Sequence, residues 1–411
     1  MNYLEEYKKN HSLIKYYCVV VYKILWKGLV EIYKWWQRQI GVINDRDIVF
    51  MSTPDYSDNA KALSEYLEKN GYADKYTIYW LVGDVEKIRA QHGDSRVIFL
   101  PRYGRFHNIP LSSLKAYMHA HYLVSTHGSL WHKGDAIKGQ VDFCLWHGCG
   151  YKDKNTSRVC DDVFDKCLVP GPLFVKTKSR YWRISEDFFI PSGYPRYDWL
   201  MHPGNKATEL RNLFLGKNSK LIIWMPTFRN VYGKFAENSI TQFPLMVNEN
   251  DWKTLDGECQ KRKVIILVKL HQFQKPYDIN FGAFKNIKEI NNSTFDKATV
   301  NLYEFLAVTD ALISDYSSVS FDYLIVDKPI AYALDDYEAY KEARGFVFDN
   351  PKEYMPGHHL YRVDDLIHFV DDLYKNNDPY KAKRQLIRKE AIHESAHYCQ
   401  DVVSAIGLNM G

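Results

Sequence analysis

Short apolar runs alternate with helix-spaced apolar positions along most of this chain, and their order predicts its architecture. Candidate strands are Ile48–Met51, Thr77–Val82, Val97–Leu100, Tyr122–Ser125, Phe143–Trp146 and Lys166–Val169. Helical stretches such as Asn59–Asn70 and Leu111–Ala120 lie between them. Apolar strands separated by amphipathic helices predict a parallel sheet covered on both faces. The polar stretch His202–Ser219, with its glycine, proline and asparagines, breaks the rhythm and marks the expected domain boundary. A second series follows, with strands at Leu221–Met225, Val264–Leu270, Ile287–Ile290, Ala311–Ile313 and Pro329–Tyr332.

The predicted class is α/β: two Rossmann-like domains facing a cleft, the arrangement called GT-B, preceded by an amphipathic helical segment. The expected divisions are residues 1–40, 41–205, 206–377 and a polar, helix-prone 378–411. In the first of these, Ile14, Cys18, Val21, Leu25, Leu29, Ile32 and Trp36 share one helical face, with Lys23, Lys27, Lys34 and Arg38 opposite. Trp26, Trp35 and Trp36 add rings suited to a headgroup zone. This pattern predicts a helix lying in the plane of an anionic membrane surface. The competing expectation is a helix packed on its own domain with solvated lysines.

Composition narrows the options. With 411 residues the chain exceeds one compact core, and 46% hydrophobic with 25% charged residues is globular. A net charge of +4, without zinc-finger or RNA-binding spacing, argues against nucleic acid as partner. Seven scattered cysteines without a CxxC pair indicate neither a disulfide framework nor zinc, and fit a reducing cytoplasm. The polar start lacks a secretory leader's apolar run, and no segment reaches the roughly 18 apolar residues of a membrane span. A peripheral protein on the cytoplasmic face of the cell membrane is the expectation.

Candidate chemistry gathers where strands end. Ala311–Ile313 runs into Ser314-Asp315-Tyr316-Ser317-Ser318 and then a helical run, Val319–Val326. Asp315 or Ser317 is expected to cap that helix, leaving N–H groups and two hydroxyls for an anion. Leu145-Trp146-His147-Gly148 ends a first-domain strand, and a histidine there suits proton transfer, although a lone histidine is more often structural. Thr227 and Arg229 end the first strand of the second domain, offering a hydroxyl and a planar cationic fork. Lys269-Leu270-His271 ends another, with Lys269 and His271 on one face. Arginines and strand-end lysines are also commonly surface or solvated groups. Together, Thr227, Arg229, His271, Ser317 and Ser318 form a predicted diphosphate cradle, with His147 facing it. Such a set suits phosphoryl transfer, where positioning and charge stabilisation supply most of the rate.

The ordered set of segments resembles the CDP-glycerol glycerophosphotransferase family of teichoic-acid polymerases and primases. The matching stretches are 145–148, 192–200, 226–230, 269–271, 314–324, 328–349 and 356–357. The resemblance implies transfer of glycerol phosphate or ribitol phosphate from CDP-glycerol or CDP-ribitol to a hydroxyl of a lipid-linked or growing polymer, with CMP released, in teichoic acid or capsule synthesis. It implies catalytic roles for His147 and His271. It also implies donor phosphate contacts by Thr227, Arg229, Lys269, Asp315, Ser317 and Ser318, with Asp336, Tyr340 and Arg344 on the nucleotide side. Gly148, Lys152 and Arg196 are assigned to the acceptor side. The family's usual Pro-Leu-Lys-Lys-like segment is here Cys149-Gly150-Tyr151-Lys152, and Gln272 stands where proline usually follows. No cofactor is demanded; Mg²⁺ is compatible with a diphosphate, but no carboxylate cluster calls for a bound metal. Two other readings compete: a nucleotide-sugar glycosyltransferase of the same architecture, and a non-enzymatic membrane assembly factor.

Overall fold

The structure, a computed structural model, describes residues 3–93, 95–128, 130, 137–152, 164–227, 243–270 and 279–410. Two helices, α1 (Tyr3–Asn10) and α2 (Leu13–Ile40), precede two sheets. The first sheet holds β1 (Asn44–Met51), β2 (Thr77–Val82), β3 (Ile98–Pro101), β4 (Ala120–Ser125), β5 (Val141–Cys144), β6 (Lys166–Leu168) and β7 (Phe189–Ile190). The second holds β8 (Lys220–Trp224), β9 (Val264–Lys269), β10 (Ile287–Ile290), β11 (Ala311–Ser314), β12 (Ile330–Ala333) and β13 (His358–Leu360). Every strand pairing in both sheets is parallel.

Strand orders are β3-β2-β1-β4-β5-β6-β7 and β10-β9-β8-β11-β12-β13. Both reverse direction of winding once, between β1 and β4 and between β8 and β11. Open parallel sheets bind ligands in the crevice outside the carboxyl ends at such points. The expected βαβ rhythm is present, and the sheets' middle strands are continuous buried runs, as in Val264–Lys269. Two short strands, β7 and β13, were not expected. The stretch 202–219 is more structured than its composition implied, since Asn205–Leu215 is helical there.

The two sheets share apolar packing. Tyr151 and Phe174 of the first half lie 4.8 Å and 4.9 Å, ring centre to ring centre, from Phe321 of the second. The backbone of Tyr151 accepts a bond from Val347 N at 2.9 Å, and Lys152 forms a bridge with Phe346. The helix Tyr398–Ile406 then returns to the first sheet, where Asp198 accepts bonds from Tyr398 N (2.7 Å) and Cys399 N (2.9 Å).

α2 resolves the competing expectations for the N-terminus. Gly41 in the left-handed region ends it, as at many helix C-termini. Its packed face is Val19, Trp26, Val30, Tyr33 and Gln37: Trp26 Nε1 donates to Ile109 O, and Tyr33 Oη meets His119 Nε2 at 2.9 Å. Ile14, Val21, Leu25, Leu29, Ile32, Trp35 and Trp36 are all exposed, Ile14 by 78%. The apolar face therefore does not pack on the domain. Nor are all the opposite lysines solvated: Lys34 is buried, and Lys23 donates to Phe106 O. The reason is that the packed face lies between the apolar and basic arcs and captures the nearest lysine stems. Among the described residues, no helix is long and apolar enough to cross a membrane.

Candidate active site

The loop after β5 is fixed at every carbonyl. Trp146 adopts a left-handed conformation (φ 53°), unusual for a residue with a side chain. Its indole packs against Trp182, and the Lys178 ammonium lies 3.9 Å and 3.8 Å from the two ring centres. Asn59 Nδ2 donates to Leu145 O (3.3 Å) and Trp146 O (2.8 Å). Arg196 donates to His147 O (3.0 Å), and Trp146 Nε1 donates to Gly148 O (2.8 Å). These bonds hold His147 at the mouth of the crevice, with its side chain open to solvent on that side.

His147 Nδ1 lies 3.3 Å from Thr126 O, a contact that suits the tautomer with its proton on Nδ1 and its lone pair on Nε2. Enclosure by protein on its other sides lowers the His147 pKa to about 3, with His127, Lys178 and Arg196 pushing the same way and the Thr126 carbonyl opposing. The ring is neutral at physiological pH. His127 stacks on it almost parallel, centre to centre 4.1 Å, and lies within 2.8 Å of Thr126 Oγ1. Burial lowers the His127 pKa too. His127 was missed from the sequence, yet it follows the end of β4 as His147 follows β5, and that position was the available signal.

The facing edge belongs to the second sheet. Asp315, wholly buried, accepts bonds from Thr227 N (2.8 Å) and from Thr227 Oγ1. Neither Asp315 nor Ser317 caps the following helix, contrary to expectation. Ser318 stands at the N-cap without a side-chain cap bond, because the Asp315 carboxylate turns to the neighbouring strand end. The helix is also shorter than expected, Val319–Asp322 with a tighter turn over Tyr323–Ile325. Ser317 and Ser318 are half-buried at the crevice. Lys269 at the end of β9 is buried; burial lowers its pKa, and among the described residues it has no ion pair. Arg229 and His271, both expected at the site, lie outside the described residues.

The two edges touch. Gly148 has φ 138°, and a Cβ built there would lie 2.6 Å from Ser318 Oγ. A Cβ at Gly150 would meet the Ser318 backbone at 3.0 Å. Glycine at both positions allows this approach. Arg196, expected on the acceptor side, is instead 2% exposed, with its guanidinium bonded to Asp58 and to Asp322 (2.7 Å). Lys152 is exposed. Further along the second domain, Asp336 accepts from Tyr316 Oη (3.0 Å), and Tyr340 is buried in a 3.9 Å stack on Tyr316. Arg344 is half-buried near that cluster. Among the described residues, no group of three or more His, Cys, Asp or Glu could hold a metal ion.

Two doubly wound sheets meeting at their carboxyl ends, with the His147 loop of one edge packed against the Ser318 turn of the other, define a protein of the GT-B class. Within that class, residues 33–406 match the model of the CDP-Glycerol:Poly(glycerophosphate) glycerophosphotransferase family, and the chain belongs to that family. A teichoic acid poly(glycerol phosphate) polymerase of Bacillus spizizenii is 27% identical, the alignment covering 91% of this chain and 90% of the relative. A teichoic acid glycerol-phosphate transferase of Staphylococcus aureus is 26% identical over 74% of this chain and 77% of its own length. The structure of the wall teichoic acid polymerase TagF superposes with a TM-score of 0.71 at 20% identity, covering 96% of this chain and 98% of that one.

Proposed function

We propose that this protein transfers glycerol phosphate or ribitol phosphate from its CDP-polyol to a hydroxyl of a lipid-linked or growing polymer, releasing CMP, in teichoic acid or capsule synthesis. In this reading His147 Nε2 takes the proton of the acceptor hydroxyl. The freed oxygen attacks the β-phosphorus, the bond from that phosphorus to the bridging oxygen breaks, and CMP leaves. Ser317, Ser318 and Lys269 receive the diphosphate, whose charge suits an ammonium that has no carboxylate partner among the described residues. Asp315 acts through Thr227, and Asp336 through Tyr316. The single observation that carries the reading is His147, with Nδ1 on a carbonyl, in a loop whose Gly148 and Gly150 lie against Ser318.

The test is CMP release from CDP-glycerol and CDP-ribitol, each with and without a polyol-phosphate lipid acceptor. Acceptor-dependent CMP from one donor supports the reading and names the polyol. Release of a nucleoside diphosphate from a nucleotide sugar would replace it with glycosyl transfer.

We further propose that α2 lies on an anionic membrane surface through its exposed stripe. The support is its exposed apolar face, Ile14 to Trp36, with Lys15 beside it and Lys27 and Arg38 further round the helix. Leu25→Glu with Ile32→Glu is expected to abolish sedimentation with anionic vesicles while shifting stability by only about 0.5 kcal/mol, as exposed substitutions do. Unchanged sedimentation would refute the proposal.

A further inference from the structure

Arg196 sits where three elements of different origin meet. One nitrogen donates to Asp58, the first residue of the first-domain helix that carries Asn59, and to His147 O (3.0 Å). The other donates to Asp322 Oδ2 at 2.7 Å, on the short helix that starts after Ser318. Asp322 is wholly buried and also accepts from Tyr197 Oη and Tyr303 Oη, each at 2.6 Å. The guanidinium lies 4.6 Å over the Tyr303 ring and 5.1 Å over that of Tyr194. Asn59 Oδ1 accepts from Arg196 N (3.3 Å), so the two residues that hold the Leu145, Trp146 and His147 carbonyls are themselves joined.

A planar fork is the only side chain that can span these acceptors at fixed angles. Burial works against the charge, but Asp322 and Asp58 outweigh it and keep Arg196 protonated. A link of this kind has a consequence for the reaction proposed above, on which it rests. Ser318 and Asp322 lie on the same four-residue helix and its cap. Any displacement of that helix by a ligand at Ser318 is delivered through Asp322 and Arg196 to the backbone of His147.

We propose that Arg196 is a positioning residue that couples the donor side of the crevice to the orientation of His147. It touches neither donor nor acceptor; it sets the distance between the base and the phosphate-binding turn.

The test uses the full chain with Arg196→Lys, which keeps the charge and loses the fork. CMP release is expected to fall about 10²-fold in kcat, the scale of a small misplacement of a catalytic group. KM for the CDP-polyol and the Kd for CMP are expected to stay within about 3-fold, since no ground-state contact is removed. The His147 ring signals in a ¹³C-labelled NMR spectrum should shift, and the change they show on adding CMP to wild type should be lost. An unchanged kcat, or a rise in donor KM with kcat preserved, would overturn the proposal. Tyr303→Phe, which removes one hydroxyl from Asp322 without touching Arg196, is the milder second variant should the lysine variant fail to fold; it should show a smaller loss in kcat alone. A wild-type enzyme that releases no CMP sinks the proposed reaction instead, and the NMR response to CMP still decides the coupling.

Discussion

The carboxyl ends of the two sheets are built on one topology and equipped for opposite tasks. At the first, the chain after β5 is over-determined: every carbonyl from Leu145 to Gly148 is bonded, and two neutral imidazoles are stacked in parallel. At the second, the carboxylate is sealed against Thr227, while Ser317 and Ser318 are half-buried and Lys269 is a buried cation at a strand end. The first edge is finished before any ligand arrives. The second is left incomplete, and its cost is a buried cation that has no ion pair among the described residues. The difference teaches that the winding of a sheet chooses where chemistry happens, while the loops choose which chemistry.

The largest effect that would break this contrast is at the base. His147→Ala is expected to lower kcat for CMP release by about 10³-fold, within the range of a lost general base. A loss under tenfold would mean the rigid edge serves binding alone. Next comes the seam. Gly148→Ala forces a side chain into φ 138° and against Ser318 Oγ, and kcat should fall about 10²-fold. Near-normal turnover there would show that the two edges need not touch.

Smaller effects sharpen the comparison. Lys269→Met should raise the donor KM about tenfold, the scale of one charge-assisted contact, and should also raise the thermal midpoint, because a buried unpaired charge is removed. Loss of stability in that variant would contradict the picture of an unsatisfied cation.

The pH dependence separates the edges last. His147 has its pKa lowered from the ordinary value to about 3, so between those values the unfolded chain binds more protons and stability falls as pH drops. The base itself stays available over the same window. kcat/KM should therefore show no His147 limb near pH 6.5, the ordinary histidine value. His127→Ala removes a neighbour that lowers the His147 pKa, and it should move the acid limb upward; an unmoved limb would detach His127 from the base.

Much of this was legible along the chain, for reasons that differ by residue. The parallel strands announced themselves because sheets covered on both faces need unbroken apolar runs, as in β9. His147 stood out because a glycine follows it at a strand end. The cap was misjudged because the partner that Asp315 chooses, Thr227, is 88 positions away, and no local pattern encodes that choice. Arg196 was assigned to the acceptor side for the same reason: its partners Asp58 and Asp322 lie 138 and 126 positions off. β7 and β13 are too short to leave a period. On α2 the lysines split between solvent and protein, because amphipathicity fixes a face but not what lies beside it.

The returning C-terminal helix carries a consequence in time. Tyr398–Ile406 packs on the helix Asp58–Lys69, and that helix bears the Asn59 that steadies the His147 loop. During synthesis the first sheet leaves the ribosome well before the helix that supports its His147 loop. The catalytic edge is thus completed only when residues some 340 positions downstream have docked, as the 337-residue separation between Ala62 and Cys399 in contact illustrates. A nascent chain halted before residue 398 would hold a nearly whole first domain with a loosened His147 loop, so that the loop settles only once the Tyr398–Ile406 helix has docked.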